Sequence, residues 1–328
     1  MKKTLLTLSL IIAIFTVNAQ VLLYESFDYP VNDTLTQHGW TGINGGDSIV
    51  VVAGNLDYSG LVPSTGNKIA FGGYGRDYQY AITSQATGTV YMSFIMNVTN
   101  IDLLDATGGY FTGLGATNTN FCSSVWTKKG STGYNIGLNA RTTVAYTTFD
   151  TQEMTVGTPV FVVVSYEMVA GTTNDIAKMW INPVSTTFGT ATPPAATITI
   201  TNGGTDLTPI ERIFIRQDSN IETPELDMDE IRVGLTWADV TPAPANVSNI
   251  EMNKLSIYPV PATSQVTITA NDMIQSIQIF DIQGRLVQSV DMVNANNANV
   301  EISTLANGIY NVVATGVNGG TFVSKLVK

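Results

Sequence analysis

Val90-Tyr91-Met92-Ser93-Phe94-Ile95-Met96-Asn97-Val98 puts Val90, Met92, Phe94, Met96 and Val98 on one side of an extended chain and a mixed set on the other. Side chains alternate across a strand with a period of two, whereas a helix repeats every ~3.6 residues. The stretch therefore predicts a strand with one face in a core. Val160 to Met168 repeats the pattern, with Val160, Val162, Val164, Tyr166 and Met168 on one face. Residues 175–181, 210–216 and 229–234 predict further strands. Gly, Asn, Asp and Pro punctuate the intervals, as turns require. No stretch beyond the first twenty residues carries the spacing of an amphipathic helix. Many strands without crossover helices predict antiparallel sheets packed face to face. The block from 20 to 240 is too long for a seven-stranded immunoglobulin-type domain and suits a large two-sheet jelly-roll sandwich. The fold class is all-β.

Composition narrows the chemistry. Of 328 residues, 44% are hydrophobic and 12% charged, and the net charge is −11. The apolar content is too high for a disordered chain. The negative balance, with no basic stripe, argues against a nucleic-acid partner. Cys122 is the only cysteine, so no internal disulfide or multi-cysteine metal site forms. His38 is the only histidine. A Ser-His-Asp triad would have to use it, and no nucleophile elbow accompanies it.

Lys2 and Lys3, the apolar run Leu5 to Val17 and the small residues of Val17-Asn18-Ala19 predict a secretory signal peptide over 1–19, cleaved after Ala19. The run is short for a membrane span. No cysteine follows the cleavage point, which argues against lipoprotein anchoring, and no later segment is long and apolar enough to span a bilayer.

Thr241-Pro242-Ala243-Pro244-Ala245-Asn246-Val247-Ser248-Asn249 predicts an exposed linker over 241–253. A second block, 254–328, follows. It predicts seven short strands: 255–258, 265–269, 276–280, 285–290, 300–303, 309–315 and 321–327. These suit a small immunoglobulin-like sandwich. Asp281 and Gly284 fit the first and last positions of a hairpin turn. Pro259 and Pro261 cannot donate to a ladder and fix an edge entry.

Three motifs in this block carry a family resemblance. They are Tyr258-Pro259-Val260-Pro261 followed by Val266-Thr267-Ile268, then Ile279-Phe280-Asp281-Ile282-Gln283-Gly284-Arg285-Leu286-Val287, then Leu305-Ala306-Asn307-Gly308-Ile309-Tyr310-Asn311-Val312. With the ending Phe322-Val323-Ser324-Lys325-Leu326-Val327-Lys328, they resemble the type A C-terminal sorting domain of the type IX secretion system of Bacteroidota. Val260 stands where that family usually has Asn. The resemblance implies sorting residues Tyr258, Pro259, Pro261, Asp281, Gly284, Arg285, Leu286, Gly308, Tyr310 and Lys325. It also implies recognition by the outer-membrane translocon, passage through the periplasm, removal of the domain within the linker, and surface attachment or release.

The larger block is similar to the concanavalin-A-like lectin/glucanase superfamily in its laminin-G-like form. Leu23-Tyr24-Glu25-Ser26-Phe27-Asp28-Tyr29 resembles the opening strand, and Asp229-Glu230-Ile231-Arg232-Val233-Gly234-Leu235-Thr236-Trp237 the closing one. The resemblance implies carbohydrate or surface binding. Gly72-Gly73-Tyr74-Gly75-Arg76-Asp77-Tyr78-Gln79-Tyr80 and Trp126, near Lys128 and Lys129, supply aromatics beside polar groups, so Tyr74, Arg76, Tyr78 and Trp126 are the candidate ligand-binding residues. The alternative is a retaining polysaccharide hydrolase of the laminarinase type. Its carboxylates would be Glu225 and Glu230, with Asp227 between them. The position two after Asp227 is Asp229 rather than Glu, and Glu230 reaches the required side only through a bulge. A third alternative is a structural coat protein without a soluble ligand. Asp229 shares a face with Ile231 and Val233, so it points inward and needs a partner. Glu25, on a neighbouring opening strand, would complete an oxygen site for a structural calcium ion, and backbone amides are the alternative. No other cofactor is expected.

Overall fold

The structure is a computed structural model and describes residues 21–201, 204–244, 255–317 and 320–328. The expected signal peptide and residues 245–253 of the expected linker lie outside the described residues. The chain divides into two compact units, Met1–Pro244 and Ala245–Lys328.

In the first unit the strands are β1 (Val21–Glu25), β2 (Thr41–Gly42), β3 (Val50–Val52), β4 (Lys68–Phe71), β5 (Tyr78–Gln85), β6 (Gly88–Asn100), β7 (Gly109–Gly115), β8 (Phe121–Lys129), β9 (Tyr134–Asn139), β10 (Thr148–Phe149), β11 (Val160–Met168), β12 (Ile176–Ile181), β13 (Ile198–Ile200), β14 (Ile210–Ile215) and β15 (Glu225–Gly234). They form two antiparallel sheets. An eight-stranded sheet runs β13-β12-β11-β6-β15-β4-β3, with β1 also on β15, and a seven-stranded sheet runs β10-β9-β8-β7-β14-β5-β2. The one α-helix among the described residues is a single turn, Trp237–Val240. Val90, Met92, Phe94, Met96 and Val98 are fully buried between the sheets. Each such side chain removed from water contributes roughly 1.5–3 kcal/mol. The alternation at 160–168 does the same work on β11, where Val160, Val162, Val164 and Tyr166 enter that core.

The outer face of the eight-stranded sheet is covered too. Ile95, Phe161, Val163 and Trp180 meet Leu56, Leu61, Phe188, Trp237 and Val240 in a second apolar cluster. The loop after β3 and the turn after β15 therefore form a third layer.

β15 lies beside β1, as expected of closing and opening strands, with Glu25 opposite Ile231. Its register against β6 shifts between Asp229 and Arg232. Glu230 sits there at φ 55, the left-handed region that L residues rarely enter. This is a β-bulge: one extra residue, and the side-chain parity inverts across it. Leu226 and Met228 before it, and Ile231 and Val233 after it, all enter the main core. Asp229 is thus on the opposite side from Ile231 and Val233. The expectation that it shares their face is corrected, because the bulge uses up one residue. Asp229 is buried nonetheless, under the third layer.

Two boundaries also change. Thr241 is fully buried, and its hydroxyl donates to the Trp237 carbonyl at 2.8 Å. The Pro242 carbonyl accepts from the Val62 amide at 2.9 Å. The large domain therefore extends past 240 into the start of the expected tether. In the second unit the predicted seven short strands are five: β16 (Ser256–Tyr258), β17 (Gln265–Asp281), β18 (Leu286–Glu301), β19 (Ile309–Gly316) and β20 (Thr321–Val327). The ladder between β17 and β18 shifts register on either side of Ile274 but does not break into separate strands, so two expected strands fuse into β17, and two more fuse into β18. The five form one sheet, β16-β17-β19-β20 with β18 on β17. Its own core includes Val266, Ile268, Ile277, Ile279, Val312 and Phe322.

Candidate functional site

Gly73-Tyr74-Gly75 crosses one end of the sandwich between two loops. A Cβ on Gly73 would collide with the backbone of Asn220, and one on Gly75 would lie 2.8 Å from the Asp47 carbonyl oxygen. Only glycine allows so close an approach. The strip is anchored on both sides. The Arg76 amide donates to the Asp47 carbonyl at 2.8 Å. Gln217 donates its side-chain amide to the Arg76 carbonyl at 2.9 Å and its backbone N–H to Asp77 Oδ1 at 2.8 Å. Asp77 N–H in turn donates to Asn44 Oδ1 at 2.6 Å. Burial raises the Asp77 carboxyl above its ordinary range, opposed by the Gln217 amide and the charge of Arg216.

This frame lifts the Tyr74 ring into solvent, 68% exposed. A cleft lies on each side of it. One, of about 370 Å³, is lined by Tyr74, Asp102, Leu103, Asn220, Thr223 and Glu225, among others. The other, of about 360 Å³, is lined by Tyr74, Asn44, Asp47, Gln217 and Asp218 with glycines between. Leu103 is 62% exposed, a second apolar surface in the first cleft. The Thr223 hydroxyl beneath is buried and has no hydrogen-bond partner in the protein. An exposed ring beside amides, carboxylates and a hydroxyl can stack on the apolar face of a sugar and hydrogen-bond its hydroxyls.

The other sequence candidates for this site fare differently. Arg76 folds its stem over Gly42 and buries its Nε, so the side chain packs on the loop and does not line either cleft. Tyr78 is fully buried in the main core, so its ring cannot meet a ligand. Trp126 is 2% exposed. Its indole N–H donates to Ser124 Oγ at 2.9 Å, and its ring packs on Tyr110 at 5.4 Å. It edges a smaller cleft of about 210 Å³ with Tyr110, Arg216 and Glu222. No local pattern marks the 217–224 loop, whose Gln217, Asp218, Asn220 and Thr223 join the site only through the fold.

The three carboxylates of the hydrolase alternative are not gathered at one opening. Glu225 lines the Tyr74 cleft. Asp227 pairs with Lys68 at 2.8 Å. Glu230 is 1% exposed and carries Arg232 at 2.5 Å, the Tyr24 hydroxyl at 3.0 Å and the Thr65 amide at 3.2 Å. The bulge does bring Glu230 round to the outer side, but the third layer closes over it.

The calcium pair is also separated by its bonding. Glu25 accepts from the Phe27 amide, the Tyr29 hydroxyl and the Trp40 indole at 2.9, 2.9 and 3.2 Å. Asp229 accepts from the amides of Leu56 and Glu230 at 2.8 and 2.7 Å. Burial still pushes the Asp229 carboxyl up to about 8, against the pull of those two amides. Backbone amides bond both oxygens of Asp229, whereas Glu25 takes one amide and two side-chain donors, and no set of three or more His, Cys, Asp or Glu among the described residues is placed to hold a metal ion. His38 stacks on Tyr29 at 3.6 Å and bonds to Asp33 at 3.0 Å. Cys122 is buried in the core, which raises its thiol pKa and keeps it protonated.

In the second unit the motif residues converge. The Gly284 amide donates to the Asp281 carbonyl at 3.0 Å, closing the turn between β17 and β18, and Gly284 has φ 80. Asp281 accepts from the amides of Arg285 and Gln283 and from Arg285 Nε at 3.0, 2.9 and 2.7 Å, which lowers its carboxyl pKa. Facing this turn is the 304–310 loop, and between them lies a cleft of about 700 Å³ lined by Asp281, Arg285, Val287, Asn307, Gly308 and Tyr310, among others. The loop is clasped from behind. The Lys328 ammonium donates to the carbonyls of Ile302, Ser303 and Leu305 at 2.6, 2.8 and 2.5 Å, and the Lys328 and Gly308 backbones exchange two hydrogen bonds. Tyr310 donates to the Ala306 carbonyl at 2.7 Å. Leu286 is half exposed on β18, and Lys325 lies opposite Asn311 on β20. Tyr258 is 57% exposed at the end of β16, with Pro259 and Pro261 outside the ladder.

Residues 256–328 match the family model described as "Secretion system C-terminal sorting domain". This unit is a C-terminal sorting domain. The sorting domain directs the chain to the cell surface or the extracellular space and implies an interaction with the secretion machinery. No helix among the described residues is long and apolar enough to cross a membrane. No curated protein sequence matches the chain. Among solved structures the chain is similar to an endo-β-1,4-glucuronan lyase from the fungus Trichoderma reesei (12% identity, 69% of this chain, 100% of that one, TM-score 0.40). It is also similar to domain 4 of the extracellular arabinanase AbnA from Geobacillus stearothermophilus (15%, 68% and 97%, 0.38). A third is the alginate lyase Aly36B (11%, 64% and 96%, 0.40). These likenesses concern the course of the chain only.

Proposed function

We propose that the larger domain is a non-catalytic carbohydrate-binding module, carried to the bacterial surface by its sorting domain. The Tyr74 ring supports this reading: it stands exposed between two polar clefts, on a glycine strip too tightly wedged to fold away. The signal peptide takes the chain across the inner membrane. The outer-membrane type IX translocon then engages the Asp281–Tyr310 cleft, where two of the three sorting motifs meet. Hydrolysis fits less well, because of the presumed carboxylates only Glu225 borders an open cleft. A glycan array probed with the mature protein and with Tyr74→Ala tests the module. Binding by the first and loss in the second are expected, and an array blank for both overturns it. Reducing-sugar release from a neutral glucan, abolished by Glu225→Gln, would instead establish a hydrolase.

A further inference from the structure

We infer that the ligand is a neutral polysaccharide segment several units long, lying across Tyr74 with a part in each cleft. The inference rests on the carbohydrate-binding reading above and adds two things to it, length and charge.

Length follows from the geometry. Tyr74 borders both clefts, so one ring forms a shared wall. Each cleft has the volume to hold a short run of sugar rings and no more. A single sugar would use half the surface. A chain draped over the ring would stack once on Tyr74 and reach hydrogen-bonding groups on both sides: Asn100, Asn220 and Glu225 in one direction, Asn44, Asp47 and Gln217 in the other. Linked subsites gain affinity by effective concentration, so binding should grow with chain length until both are filled.

Charge follows from the linings. Asp102 and Glu225 border one cleft, Asp47 and Asp218 the other, and neither is lined by a lysine or arginine, although Arg216 pairs with Asp218 from outside the lining, which leaves Asp102, Glu225 and Asp47 to carry the charge. The net charge of −11 has the same sign. A uronic-acid polymer would meet carboxylates at each step and be repelled, whereas neutral hydroxyls can donate to those oxygens.

Calorimetric titration of the mature protein with neutral gluco- and manno-oligosaccharides of one to six units, and with polygalacturonate and alginate, tests this. Affinity for a neutral series is expected to rise about tenfold or more from the disaccharide to the longest member. Tyr74→Ala should remove most of that gain, and neither polyuronate should bind more tightly than the neutral series. Asp47→Asn with Glu225→Gln should narrow the discrimination against polyuronates. A disaccharide bound as tightly as the hexamer would overturn the two-cleft arrangement while leaving carbohydrate binding intact. Tighter binding of a polyuronate would overturn the charge argument in the same way. Absence of binding to every sugar would sink the underlying reading and this inference with it.

Discussion

The Leu56 amide donates to Asp229 Oδ2 at 2.8 Å across 173 residues of chain, tying the loop after β3 to the strand that closes the sandwich. The bond is buried, and the carboxyl that accepts it sits near 8 rather than near the ordinary carboxylate value because burial disfavours its charge. The folded state therefore holds a proton that the unfolded chain releases near pH 4. With the folded value raised, this contribution to stability is complete below the unfolded value and is lost as pH rises toward about 8. Urea unfolding from pH 5 to 8 should show stability falling with pH, and Asp229→Asn should flatten the fall. Asp229→Ala, which orphans two buried amides, should cost roughly 1–3 kcal/mol at pH 5. An equal slope in wild type and Asp229→Asn would show that the carboxyl is ionised throughout.

Tyr74 offers the opposite case, an exposed side chain whose loss leaves the fold alone. Tyr74→Ala should leave the melting temperature within about a degree, since exposed substitutions change stability by at most ~0.5 kcal/mol. Gly73→Ala should instead lower it, because the new Cβ meets the Asn220 backbone. Differential scanning calorimetry of the two variants separates display of the ring from construction of the strip.

Lys328 holds three carbonyls of the 302–305 turn. Lys328→Met keeps the stem and removes the donor. It should cost the sorting domain roughly 1–3 kcal/mol, since hydrogen bonds to charged groups are the stronger kind. Hydrogen exchange of the full chain should quicken at 302–308 and stay unchanged in the larger domain.

Export supplies a fourth test. Removing residues 256–328 should leave the protein in the periplasm, read by fractionation. Arg285→Ala with Asp281→Ala, which opens the turn at one wall of the sorting cleft, should reduce the surface fraction several-fold while the larger domain stays folded by circular dichroism. Full surface delivery by the double variant would move recognition elsewhere on the sorting domain.

How much of this could be seen in the residues depends on which force sets each feature. The alternation at 90–98 and 160–168 is dictated by burial on one face, and every expected inward residue of the first stretch is in the core. The Asp281–Gly284 turn was equally legible, because glycine there relieves a left-handed backbone. The bulge was not, since a glutamate at positive φ leaves no mark in composition and is imposed by β6 and β1 together. Plain alternation, which lacks it, puts Asp229 on the wrong side. Tyr74 and Tyr78 sit four residues apart in the same glycine-rich setting, yet one faces solvent and the other the core. Only the strand start at Tyr78 separates them. The 217–224 loop reaches the site through pairing of β14 with β5 and β7, a long-range fact that no local pattern carries.

The extra residue in β15 also bears on how this domain can change over time. Flattening the bulge with Glu230 kept in the ladder would swap the sides of everything after it: Ile231 and Val233 would turn out toward the covering loops, and Arg232 would be driven into hydrocarbon. Loss of the single codon for Glu230 would instead leave Ile231 and Val233 facing inward and remove only the buried carboxylate that pairs with Arg232. Lineages carrying this strand can therefore shed the extra residue far more readily than they can draw it into the ladder.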